Sequence, residues 1–202
     1  MFVLASYITK QEDFEDFLKR ANKSGAVAID TEFLRDKTYW PKLCLLQMAI
    51  DGECVLVDPF EVDLNATKRL FTNKNVVKVF HSPRQDIEII FNLIGVLPNP
   101  IFDTQIAAGF LGHNVQIGYG KLVSAELGIK LKKSATYTDW CLRPLSEVQL
   151  TYASDDVTYL LKLYYQMYDK LKNLDRLKWV NEDAKEKYLD EEIYKVKAED
   201  RF

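Results

Sequence analysis

Near the start of the chain, apolar residues recur at helical spacing: Phe14, Phe17 and Leu18 share one side of a helix predicted over residues 11–22. The pattern then shortens. Nearly continuous apolar runs at 26–30, 43–50 and 54–58 read as buried strands, the last two joined by the turn signal Asp51-Gly52-Glu53. A helix over 64–71, a further buried strand over 76–80 and a helical stretch over 86–93 follow. From there the periodicity is helical to the end, punctuated by Gly118, Gly120, Gly128 and Pro144, with no further strand expected. Strands in front and helices behind predict an α/β domain whose sheet is flanked by helices.

Length and composition fit that picture without sharpening it. A chain of 202 residues can bury one generous core, and 48% apolar with 28% charged residues reads as globular. No apolar run approaches membrane-spanning length, so no membrane partner is expected. The first eight residues carry no basic leader and are too short for a signal peptide, which makes the cytoplasm the expected compartment. Cys44, Cys54 and Cys141 are odd in number and scattered, and read as reduced core residues. Residues 181–202 are crowded with Glu, Asp and Lys and read as a solvated helix or linker.

The carboxylates change the picture most. Asp30 and Glu32 close the first apolar run, and alternate residues of a strand point to one face, so the two acids stand side by side. Tyr152 and Asp156, four apart in a strongly helical stretch, share a helix face. Asp86 lies between them in the sequence, within His81-Ser82-Pro83-Arg84-Gln85-Asp86. Ionised together, such acids repel one another unless a cation intervenes, and hard oxygen ligands suit Mg²⁺ or Mn²⁺. The net charge of −3 gives no basic footprint for a polyanionic ligand, but bound cations would change the sign of the surface that meets one.

The ordered set, with its flanks, resembles the ribonuclease D branch of the DEDD-type 3′-to-5′ exonucleases, in the subclass whose third motif carries a tyrosine. The motifs are Asp30-Thr31-Glu32-Phe33 with Thr38-Tyr39-Trp40-Pro41 and Leu45-Leu46-Gln47, then His81 through Asp86 with Asp103-Thr104-Gln105. The third is Tyr152 through Asp156, preceded by Thr138-Asp139-Trp140 and Arg143-Pro144-Leu145-Ser146. The resemblance implies a ribonuclease H-like mixed sheet and an exonuclease domain over residues 1–172. A tail over 173–202 follows, of the kind that leads into helical HRDC domains in this family; those domains are expected to be absent.

It implies further a 3′-to-5′ exoribonuclease that releases 5′ mononucleotides with two Mg²⁺ or Mn²⁺ ions, with precursor tRNA 3′ ends as the partner RNA. By motif position Asp30 would bridge both ions, Glu32 and Asp156 would complete the nucleophile-side ion, and Asp86 would support the other. Tyr152, with an ordinary pKa near ~10, would orient the attacking water rather than deprotonate it. Rival readings are an exonuclease on short oligonucleotides or single-stranded DNA, and a nonenzymatic nucleic-acid-binding remnant.

The remaining polar residues divide by position. Asp155 points about a third of a turn away from Asp156 and is expected on the helix surface. Asp103 is expected to cap a helix, Asp58 and Asp139 to be structural, His81 to be a hydrogen-bonded core residue, and His113 to be exposed. A 3′-end exonuclease needs cations for the phosphates behind the scissile one, and Arg143 and Lys133, the latter beside Lys130 and Lys132, are the candidates. Phe33, Tyr39 and Trp40 are candidates for stacking on terminal bases.

Overall fold

The computed structural model describes residues 5–35, 40–131 and 138–195. Its centre is a mixed sheet of six strands: β1 (Ser6–Ile8), β2 (Ala26–Leu34), β3 (Lys42–Ile50), β4 (Glu53–Val57), β5 (Val77–Phe80) and β6 (Ile101–Asp103). Their spatial order is β1-β4-β3-β2-β5-β6. The β2–β3 and β3–β4 pairs are antiparallel, the second as the turn signal at 51–53 predicted, and Gly52 supplies the left-handed φ of +78° that closes that hairpin. Parallel pairing carries the sheet outward on both sides, β5 against β2, β6 against β5 and β1 against β4.

The helices are α1 (Gln11–Ala21), α2 (Lys68–Thr72), α3 (Arg84–Ile94), α4 (Thr104–Phe110), α5 (Tyr119–Leu127), α6 (Glu147–Asn173) and α7 (Leu177–Tyr188). They form two layers. Phe14, Phe17, Leu70, Phe71, Ile87 and Ile90 pack α1, α2 and α3 on the sheet face that carries Val27, Ile29 and Met48. Leu122, Val123, Val157, Leu160 and Met167 pack α5 and α6 on the face that carries Ala26, Ala28 and Ala49. Small alanines on that face let α6 approach β2 closely. The long helix starts at a reciprocal cap in which Ser146 accepts from the Gln149 amide while the Gln149 side chain accepts from Ser146 N.

Four expectations are corrected. Strands β1 and β6 were not anticipated, because three residues are too few for a period to show. The stretch from residue 181 is not merely solvated: Ala184 and Tyr188 of α7, and Tyr194 after it, are buried against the body of the domain, as is Val180 of α7 just before the stretch. The buried Tyr188 hydroxyl donates to Asp103 Oδ2 at 2.7 Å. Cys44 and Cys141, 97 residues apart, form a disulfide instead of remaining reduced, whereas Cys54 is a free, buried thiol. His113 is not simply exposed but meets Glu126 Oε1 through Nε2 at 2.8 Å. Among the described residues, no helix is long and apolar enough to cross a membrane.

Candidate active site

Strand β2 delivers Asp30 and Glu32 to the face covered by α6, while the intervening Thr31 turns the other way and its hydroxyl donates to Asp86 Oδ1. Asp86 stands in the first turn of α3, where a carboxylate also suits the helix dipole. The start of α3 is fixed from below. Ser82 holds a left-handed φ of +55°, and its N–H donates to Asp103 Oδ1 at 2.8 Å. The same oxygen caps α4 by accepting from Gln105 N, as expected of Asp103. Asp103 thus ties β6, α4, the β5–α3 turn and, through Tyr188, α7 to one carboxylate.

From the other side α6 brings Tyr152 and Asp156 to one face, and Asp30, His81, Tyr119, Tyr152, Asp156 and Leu160 line a cavity of about 140 Å³. The Tyr152 hydroxyl hydrogen-bonds the Asp156 carboxyl. Its ring lies 5.9 Å from that of buried Trp140. Tyr119, which the sequence reading did not single out, donates its hydroxyl to the Asp156 main-chain oxygen and sets its ring 5.5 Å from His81. Its only sequence signal was its place between two glycines at a helix start.

His81 is hydrogen-bonded, as anticipated, and also walls the cavity. The Ile117 carbonyl, 3.1 Å from Nε2, can only accept, so Nε2 carries the hydrogen. Burial lowers the His81 pKa, which keeps the ring neutral, and Nδ1 lies 2.9 Å from the Thr104 hydroxyl, which in turn reaches the Phe80 carbonyl at 3.1 Å.

The electrostatics of the acids are uniform in sign. Burial, then Asp86 and Asp156, hold the Asp30 carboxyl well above the usual range. Burial with Asp30 and Asp86 raises Glu32 to about 9, and burial raises Asp86 to about 6 against the Thr31 hydrogen bond. Asp156 is raised by burial and by Glu32 and Asp155, with the Tyr152 hydrogen bond opposing. Among the described residues, the charges that act most on the four are those of other carboxylates. Among the described residues no three His, Cys, Asp or Glu already form a metal-ligating cluster. The donor set nonetheless fits a hard divalent cation: crowded carboxylates that offer only oxygen donors.

The candidates for substrate contact fare differently. Arg143 is committed to the fold: Nε and Nη2 grip Asp58 at 2.5 and 3.0 Å, and the carbonyls of Cys44, Trp140 and Leu142 take its remaining donors. That corrects its reading as a phosphate contact, because its hydrogen-bonding capacity is used, and it makes Asp58 structural. Asp139, accepting from Cys141 N, is structural too. Phe33 packs against the core formed with α1, α2 and α3. Trp40 is exposed. Tyr39 and Lys133 lie outside the described residues. Asp155 is half-buried rather than exposed, and burial raises its pKa.

The chain belongs to the 3′-5′ exonuclease family, whose sequence profile matches residues 5–172. Within it, the chain is similar to ribonuclease D: 44% of residues are identical to the Sphingobium indicum enzyme over 96% of this chain and 51% of that protein. The crystal structure of Escherichia coli RNase D superposes with a TM-score of 0.86 at 32% identity, over 90% of this chain and 48% of that one. A structure of Brucella melitensis NrnC with bound Mg²⁺ shares the fold at 24% identity and a TM-score of 0.71, over 90% of this chain and 86% of that one. The chain thus spans about half the length of the ribonuclease D proteins it matches.

Proposed function

We propose that this domain is a 3′-to-5′ exoribonuclease that hydrolyses RNA from its 3′ end to 5′ mononucleotides, with precursor tRNA 3′ ends as substrate. The observation that carries the reading is the meeting of Asp30, Glu32, Asp86 and Asp156, from β2, α3 and α6, beside a tyrosine hydroxyl, where the carboxylates raise one another's pKa. Its support is the family, the likeness to E. coli RNase D, an exoribonuclease involved in structured RNA processing, and the Mg²⁺ held by the NrnC structure of the same fold.

Asp30, Glu32, Asp86 and Asp156 would hold two divalent ions, Mg²⁺ or Mn²⁺. When bound, the ions supply Lewis acidity at the scissile phosphodiester. The Tyr152 hydroxyl, next to Asp156, orients the attacking water by a hydrogen bond. His81 and Tyr119 wall the site, and the Tyr119 hydroxyl fixes the α6 backbone at Asp156.

The test is a 5′-labelled RNA incubated with protein and Mn²⁺. A ladder shortening from the 3′ end is expected, blocked by a 3′-phosphate, absent in Asp30→Ala and retained in Asp155→Asn. Wild-type rates in Asp30→Ala at saturating Mn²⁺ would remove the site. Matched RNA and DNA oligonucleotides in competition decide the sugar preference.

A further inference from the structure

Gln47, in the middle of β3, has no exposed surface, and neither Oε1 nor Nε2 has a hydrogen-bond partner among the described residues. A carboxamide has two N–H donors and an acceptor to satisfy, and buried polar groups in folded proteins are nearly always paired. The surroundings give it little choice of partner. Its register neighbour on β4 is Leu56, and its same-face neighbours along β3 are Leu45 and Ala49, all apolar and buried. On the other side, the register sets Gln47 directly opposite Asp30 of β2. Opposed residues of an antiparallel pair project to the same side, with Cβ atoms ~4.5–5.5 Å apart. Asp30 is therefore the polar neighbour that the sheet presents to this amide. An apolar side chain would fill the position without desolvating a polar group, so the amide costs stability for which the fold alone shows no return.

We propose that Gln47 is a positioning residue for the carboxylate site: its Nε2 donates a hydrogen bond to the Asp30 carboxylate when Asp30 takes up a divalent cation, fixing the orientation of that ligand. The inference rests on the reading of Asp30 as a metal ligand. It assigns the second of two cross-strand partners a task that neither packing nor strand pairing requires. The hydrogen bond would act as outer-shell partners of metal ligands do, by holding the ligand in one rotamer.

The test uses Gln47→Met, close in shape and without the amide, in the full chain. Three quantities are read: Tm in EDTA, the Kd for Mn²⁺ alone by calorimetry, and KM against kcat on RNA. The expected result is a Tm equal to or above wild type, a Kd for Mn²⁺ raised about 10- to 100-fold, and an unchanged KM for RNA. Lost rate at low Mn²⁺ should recover as Mn²⁺ is raised. A Kd within about twofold of wild type would overturn the proposal, as would a fall in Tm in EDTA with Mn²⁺ affinity unaltered. Should Gln47→Met not fold, Gln47→Leu takes its place, and failure of both to fold shows a structural amide and overturns it too. Wild-type protein that binds no Mn²⁺ removes the metal-site reading itself, which separates that failure from a defect specific to position 47.

Discussion

Glu32→Gln should stabilise the cation-free protein while removing its activity, and the gain should depend on pH. Burial and the neighbouring Asp30 and Asp86 raise the Glu32 carboxyl from 4.5 to about 9. The folded protein therefore holds this proton more tightly than the unfolded chain does. Stability on this account is full below pH 4.5 and is lost steadily as pH climbs toward 9. At pH 7, 2.5 units above the unfolded value of 4.5, one pKa unit being worth about 1.4 kcal/mol, the cost reaches about 3 kcal/mol. Screening by the solvent that still reaches this half-buried side chain brings the expectation to about 1–3 kcal/mol. For a chain of this length that is a Tm increase of roughly 2–10 °C. Thermal melts of wild type and Glu32→Gln in EDTA, from pH 4.5 to 8, measure it: the two should coincide at the acid end and diverge as pH rises. Mn²⁺ should reverse the order, because a cation at 100 times its Kd adds about 2.7 kcal/mol to the protein that binds it. A difference independent of pH, or a Glu32→Gln variant less stable than wild type at pH 7 in EDTA, would refute the argument.

Tyr152→Phe should slow single-turnover cleavage at saturating Mn²⁺ by roughly ten- to a thousandfold with Mn²⁺ affinity retained, since the ring still packs beside Trp140 and only the orienting hydroxyl is lost; wild-type speed would reduce it to a packing residue. Tyr188→Phe removes a buried donor from the Asp103 carboxylate and should cost about 1.5–3 kcal/mol, read in urea unfolding, showing that α7 belongs to the folding unit. Arg143→Ala leaves buried Asp58 without its bidentate partner and should lose about 3 kcal/mol of stability in the same measurement, with KM for RNA unchanged.

The alternation of Asp30, Thr31 and Glu32, and the four-residue step from Tyr152 to Asp156, fixed faces before any packing was known. Local backbone geometry alone determines which side chains share a strand or helix face, so these residues, the β2–β3–β4 meander and the long C-terminal helices were legible in the sequence. The three motifs, their flanks and their order carried the family resemblance for the same reason, as patterns of neighbours. What lay at long separation was not legible. Arg143 and Asp58 are 85 residues apart, Cys44 and Cys141 97 apart, and Tyr188 and Asp103 85 apart, and nothing local to any of them announces its partner. Burial likewise turned a charge-rich tail into a docked helix through three apolar residues, Val180, Ala184 and Tyr188, too sparse to stand out. Gln47 shows the division most clearly: its place in an apolar run marked it as strand, but only the register of β3 against β2 put its amide opposite Asp30. Side-chain faces follow from the chain's own dihedrals, whereas partners depend on how separate elements meet.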